Sequence, residues 1–313
     1  MILSDGSHGR EPGFTLVELL AAMAIFALLL VFVTMVVNHT MSATHGGVAR
    51  MRSQLNARTA LASMARELGQ AARPFPGQGG NRPRLLISPP AAPTAPTAPD
   101  GIDDRFRHPH NLFWLAPVNS SLEGGGLSTV GYFVRWLQEP THLDPVLCRV
   151  AEPVRTAAGE TLPAVYGNPD GWLNAAFLDS RAPGDAANHY RGLYAEPVLA
   201  LWVRALDASG RAIVMDASGT LVQYAFDSEA GFTDSGSPAR IHRPPAFPAA
   251  VEIAMIVIDG PAAQRLLKDA APPVATNPAN FHGEIAAFIG SLPGEIRRSA
   301  RVYTRTIHLD AGK

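Results

Sequence analysis

Glu18 is the only ionisable residue between Phe14 and Val37. It stands at the entry of an uncharged apolar run, LLAAMAIFALLLVFVTMVV, from Leu19 to Val37. A carboxylate placed there costs a few kcal/mol in lipid, so it reads as functional by default. Its chemistry is electrostatic: it can neutralise a cation in a place without water. Other candidates are weaker. His108-Pro109-His110 lies beside Asp103 and Asp104, a set that can hold a metal, but proline between two histidines reads as a solvated turn. Asp-Ala-Ser-Gly occurs at 207–210 and again at 216–219. Both copies are turn chemistry, and neither has the carboxylate density of a dedicated calcium loop. Cys148 is the only cysteine, which excludes an intramolecular disulfide and a multi-cysteine zinc site. There is no G-x-S-x-G, H-E-x-x-H or Walker A pattern. The expectation is therefore a non-enzyme, with no catalytic residue, metal or cofactor.

The element that must position Glu18 is the apolar segment itself. From Phe14 it covers roughly 24 residues, about 36 Å of helix, enough for a hydrocarbon core of ~30 Å. A cleaved secretory signal has a shorter apolar core and a small-x-small site behind it. Here Asn38-His39-Thr40-Met41 follows instead. A plain signal anchor explains the span but leaves Glu18 and the Gly-Phe junction to chance. A buried helix of a soluble domain does not match the length and uniform apolarity.

Gly13-Phe14-Thr15-Leu16-Val17-Glu18, opening a span near the chain start, resembles the type III signal of type IV pilins and type II secretion pseudopilins. The resemblance implies that an inner-membrane prepilin peptidase cuts between Gly13 and Phe14. It further implies that Phe14 is N-methylated and that Glu18 becomes the fifth residue of the mature chain. The Phe14 amine stays positive after methylation, so the Glu18 of a neighbouring subunit can pair with it. Each charge is costly alone in lipid and far less so when paired, which makes the pair a register device for assembly. The leader departs from the family habit in setting Arg10 against Asp5 and Glu11, so positive-inside counting carries little information about orientation.

Beyond the span, Val48, Met51, Leu55, Leu61, Met64, Leu68 and Ala71 recur at helical spacing, with Arg50, Arg52, Arg58 and Arg66 between them. This predicts an amphipathic continuation whose apolar stripe packs on the chain's own globular domain. Gly46-Gly47 is a weak point, and Pro74 and Pro76 are the expected stop. The organisation read from sequence is a leader (1–13), a transmembrane helix (14–37), its amphipathic continuation (38–73), a Pro/Gly-rich linker (74–105) and a β-rich domain (106–313). Strand-like runs are 111–118, 127–138, 197–206, 251–258 and 301–309, with a three-stranded meander around the two Asp-Ala-Ser-Gly turns. Short helices are expected at 262–269 and 279–289. Trp114, Trp136, Trp172 and Trp202 are expected mostly in the core. The fold class is α+β: one long N-terminal helix on a mostly antiparallel sheet.

The Pro248–Asp259 segment resembles the late core strand of the pseudopilin J class. Ala200–Arg204 and Ser299–Tyr303 resemble the Verru_Chthon cassette protein C group of prepilin-like proteins. The net charge of -1 gives no basis for a nucleic-acid partner. The resemblance implies other partners: the prepilin peptidase, other pilin or pseudopilin subunits, an inner-membrane assembly platform and the lipid bilayer. It implies a single-pass inner-membrane protein with its globular domain periplasmic or extracellular. A chain of 313 residues is long for a major fibre subunit, which points to a minor one. A membrane-anchored binding module or adhesin using the same export route is the alternative.

Overall fold

The computed structural model describes residues 15–73, 83–87, 107–117, 127–138, 140–153, 193–236, 238–266, 270 and 273–309. The chain divides into two compact units, Met1–Val48 and Ala49–Lys313. Helix α1 runs from Leu16 to Leu68. Its first part is rich in Leu, Ala and Met, which are good helix formers. Gly46 and Gly47 remain helical. The helix stops at Leu68, ahead of the prolines expected to end it, and Gly69 and Gln70 close it with bonds to Ala65 O and Glu67 O.

In the second unit the buried side of α1 is Ser53, Ala57, Ala60, Leu61, Met64, Glu67 and Leu68. This corrects the expected stripe. Leu61, Met64 and Leu68 are buried, but Val48, Met51 and Leu55 are exposed, Met51 at 70%. Small residues at 53, 57 and 60 take the helix face against the sheet, where larger side chains would hold the backbones apart.

The sheet is built from nine strands: β1 (Leu85–Ile87), β2 (Arg107–Ala116), β3 (Ser128–Gln138), β4 (Leu143–Pro153), β5 (Leu193–Ala195), β6 (Val198–Leu206), β7 (Phe226–Asp227), β10 (Ala250–Val257) and β11 (Arg301–His308). Two short strands, β8 (Phe232–Thr233) and β9 (Ile241–His242), pair with each other. The order of the main path is β11-β10-β6-β2-β3-β4-β5, with β1 paired to β2 and β7. The pairs are antiparallel except β2 with β6, which meet in parallel at Pro109 and Leu201. A long N-terminal helix and a mostly antiparallel sheet make the chain α+β, as the sequence pattern predicts.

Side chains alternate across the sheet, as the pleat requires. Leu112, Trp114 and Ala116 join the core cluster that contains α1, while Phe113 and Leu115 join a second cluster with Phe133, Val146, Cys148 and Val150. Gly131 pairs with Phe113 across the ladder, and a Cβ there would collide with the Phe113 ring. That close approach is why an otherwise bulky strand carries a glycine. Strand β10 is buried at every position because it lies between β6 and β11.

Helices α2 (Gly260–Ala263), α3 (Phe281–Ser291) and α4 (Gly294–Ser299) follow β10, with a 3-10 turn at Pro278–Asn280 leading into α3. The expected meander is not a regular ladder. Around residues 206–233 there are isolated bridges, Leu206 with Ala212 and Met215 with Leu221 and Thr233. Asp207 and Asp216 close the turns instead, each accepting backbone N–H groups through Oδ1. Leu85–Ile87, inside the expected linker, form a buried strand. Apart from residues 83–87, that linker lies outside the described residues, as does Trp172.

Candidate functional site

Thr15 and Glu18 form a reciprocal pair at the start of α1. The Thr15 N–H and the Thr15 hydroxyl both donate to Glu18 Oε2 at 2.9 Å. The Glu18 N–H donates back to Thr15 Oγ1 at 3.3 Å. This is a capping box, and it satisfies helix donors that would otherwise lack acceptors in lipid. The T-x-x-E spacing was present in the sequence as a second, local reason for a carboxylate at this position. A negative charge is also favourable in the first helical turn, where the peptide dipoles present their positive end. Gly13 and Phe14 lie outside the described residues.

From Leu16 to Met41 the helix is long and apolar enough to cross a membrane, and none of its most apolar window is buried in the protein. At 1.5 Å per residue its 26 residues cover about 39 Å. Polar hydroxyls inside it are satisfied by the helix itself: Thr34 donates to Leu30 O at 2.7 Å and Thr40 to Val36 O at 2.8 Å. An apolar surface this large, with its threonine hydroxyls internally paired, suits a lipid or protein surround.

The profile of the prokaryotic N-terminal methylation motif matches residues 9–34. The chain carries a prepilin N-terminal methylation motif. With the apolar helix that follows, this motif is consistent with a type IV pilin-like exported protein and with membrane anchoring. The prepilin motif implies processing by prepilin peptidase and assembly with other pilins. No curated protein and no solved structure gives a match to the chain.

In the second unit, the end of α1 is locked to the sheet by Glu67. The Tyr132 hydroxyl donates to Glu67 Oε2 at 2.7 Å, and Arg149 donates to Oε1 at 2.8 Å and Oε2 at 3.2 Å. Trp114 Nε1 donates to the Glu67 carbonyl at 3.3 Å. Burial and the Glu67 carboxylate push the Tyr132 phenol up, so it stays a donor. Burial works against the Arg149 charge, but Glu67 outweighs it and its pKa is raised. On the other side of the sheet sequence, Arg204 pairs with Glu252 at 2.7 Å and donates to Pro278 O.

His110 is placed where the sequence reading did not expect it. The His108–His110 segment lies in β2, and His110 is a buried residue rather than part of a solvated turn. Val203 N–H donates to its Nδ1 at 2.8 Å, and the Tyr224 ring lies 4.2 Å away, centroid to centroid. Burial pushes the His110 pKa down to about 3, so the ring is neutral. Asp103 and Asp104 lie outside the described residues.

Asp216 is held below the usual carboxylate range by the Ser218 hydroxyl and by backbone N–H groups. For Asp207, burial opposes the charge, but Ser209, Arg211 and Ser235 donors win and its pKa is lowered. Both turns therefore use their carboxylates as backbone acceptors. Among the described residues no group of three or more His, Cys, Asp or Glu side chains is placed to hold a metal ion. Burial pushes the Cys148 thiol up to about 12, which keeps it protonated and unreactive.

Proposed function

We propose that the chain is a minor pilin or pseudopilin, a structural subunit of a type IV pilus or type II secretion-like filament. In this reading prepilin peptidase removes residues 1–13 by cutting between Gly13 and Phe14 and methylates the Phe14 amine. Residues 14–37 hold the subunit in the inner membrane, and 38–73 continue the helix. The β-rich domain from 106 onward stands on the periplasmic or extracellular side. Glu18 pairs with the Phe14 amine of a neighbouring subunit and so sets its register. The prepilin motif over residues 9–34 carries this reading. The exposed apolar helix and the carboxylate held at its entry support it. The capping box is compatible with the pair, because Thr15 occupies Oε2 and leaves Oε1 of Glu18 for the amine.

Intact-mass measurement and N-terminal sequencing test the reading directly. The expected mature chain begins with N-methyl-Phe14. A chain that still begins at Met1, or begins beyond Val37, would refute it. The length of the distal part favours a low-copy subunit, and its copy number in purified filaments separates that role from a major one. The alternative, a membrane-anchored binding module exported by the same route, is favoured by one feature of the distal unit, a cavity of about 920 Å3 lined in part by His110, Tyr224 and Asn277.

A further inference from the structure

One end of the second unit concentrates arginine. Strand β10 ends at Val257, which pairs with Arg301, the first residue of β11. Two residues on, Asp259 caps α2, and its Oδ2 lies 4.0 Å from Arg50 Nε of α1. Arg265, just past α2, pairs with Glu295 in the first turn of α4. Arg297 and Arg298 stand in the last turn of α4, which leads directly into β11. Arg50, Arg297, Arg298 and Arg301 therefore share one end of the sheet, and all four are exposed.

The fold uses only part of these side chains. Arg298 Nε donates to Gly294 O at 3.1 Å and Arg297 to Gly290 O at 3.4 Å. Arg301 donates to Ala300 O at 2.7 Å and Arg298 O at 2.9 Å. Such bonds to carbonyls suit cations near the C-terminal end of a helix. Each occupies one nitrogen of a guanidinium that carries five N–H donors. Neighbouring carboxylates are already engaged: Asp259 accepts the Ala262 N–H and faces Arg50, and Glu295 holds Arg265. Among the described residues Arg297, Arg298 and Arg301 make no ion pair, in a chain whose net charge is -1.

Their place along the chain selects the counter-ion. The apolar span ends at Met41 and the second unit begins at Ala49. The link is helical, so it covers about 12 Å. Whatever direction α1 takes at Gly46-Gly47, the end of the unit that holds Arg50 stays within about that distance of the end of the span. The headgroup layer adds roughly 5–7 Å to each side of a hydrocarbon core, and a surface potential reaches about 8 Å further. Together they bridge the link. We propose that this arginine-rich end docks on anionic phospholipid headgroups beside the chain's own span, with Arg297, Arg298 and Arg301 on lipid phosphates. The proposal rests on the reading of Leu16–Met41 as a membrane span. A guanidinium suits phosphate because two of its N–H groups match two phosphate oxygens. Each arginine near an anionic surface favours contact about fivefold, so three favour it roughly a hundredfold.

The test places the full chain in nanodiscs of phosphatidylcholine alone, or of an equal mixture with phosphatidylglycerol. Co-elution of chain and discs at high salt checks the span separately. Arginines are modified with phenylglyoxal and the rate at each is read by mass spectrometry. Arg297, Arg298 and Arg301 should react at least about threefold more slowly in the anionic discs, and the difference should vanish at high salt. Arg211, exposed beside Leu206 at the opposite end of the sheet, should react equally in both. In a folded Arg297→Gln, Arg298→Gln double variant the lipid effect at Arg301 should shrink about twofold or more. Equal rates in the two discs, with the chain co-eluting, overturn the proposal and leave these arginines to an acidic protein partner. Slowing of the same size at Arg211 shows a general effect of the anionic surface and overturns it equally. A chain that leaves the discs refutes the span, and the proposal with it.

Discussion

Glu18 has one partner in its own chain, Thr15, and in the proposed assembly a second, the amine of a neighbouring Phe14; three substitutions separate them. Thr15→Val removes the hydroxyl that gives and receives hydrogen bonds at 2.9 Å and 3.3 Å, but keeps the Glu18 charge. Loss of a cap of this kind costs about 1 kcal/mol, roughly a fivefold effect on an equilibrium. Glu18→Gln keeps the cap, because glutamine serves in a capping box as glutamate does, and removes only the charge. Glu18→Ala removes both. Breaking a desolvated ion pair by deleting one member costs about 3–5 kcal/mol, a shift of two orders of magnitude or more in assembly. The expected order of recovery in assembled material is wild type, then Thr15→Val, then Glu18→Gln, with Glu18→Ala the poorest. Cleavage at Gly13 should survive in Glu18→Ala, so processing is measured on the same samples as co-purification with assembly partners. If Glu18→Gln assembles like wild type while Glu18→Ala and Thr15→Val fall together, Glu18 is a helix cap and no more. Normal recovery of Glu18→Ala would remove the charge pair altogether and leave the cleavage claim standing.

Three further outcomes follow from the distal unit. His110 has an ordinary value of 6.5 and a native value of about 3; the unfolded chain therefore takes up its proton first as pH falls. The stability it contributes is complete above pH 6.5 and about 2 kcal/mol is lost by pH 5. Thermal melts between pH 7.5 and 5 should show that slope, and a folded His110→Phe should lack it; an unchanged slope refutes the assignment. Glu67→Ala strands Arg149 and the Tyr132 hydroxyl at the end of α1. A loss of about 3 kcal/mol is expected, or a fall in Tm of about 6–12 °C, and a fall under 2 °C would show that the network is solvated. A fragment from residue 40 onward should be soluble and monomeric in gel filtration, since the core cluster is drawn from residue 57 onward. Association of that fragment would locate an interface on the exposed Val48, Met51 and Leu55 strip.

The features legible in the sequence are those decided within a few residues. The Gly13-Phe14 junction, the uncharged run after Glu18 and the T-x-x-E spacing are contained in one short stretch, so span and cap follow from local physics. Asp207 and Asp216 close their turns with donors two and four residues on, so the turns were readable while the meander between them was not. The strand positions of 128–138, 198–206, 250–257 and 301–308 followed from continuous apolar or alternating runs. What the tertiary structure alone decided involves partners far along the chain. Whether Val48, Met51 and Leu55 or Ser53, Ala57 and Ala60 face the sheet depends on how closely two backbones approach, and helical periodicity is satisfied by either. Strand β4 carries Asp144, Pro145 and Arg149 among its apolar residues and gained its place through pairing with β3. His110 followed a proline and looked solvated; it is buried because β2 meets β6 there, and Val203 N–H takes up one ring nitrogen. The burial of His110 was therefore invisible in sequence, because it is created by residues more than ninety positions away.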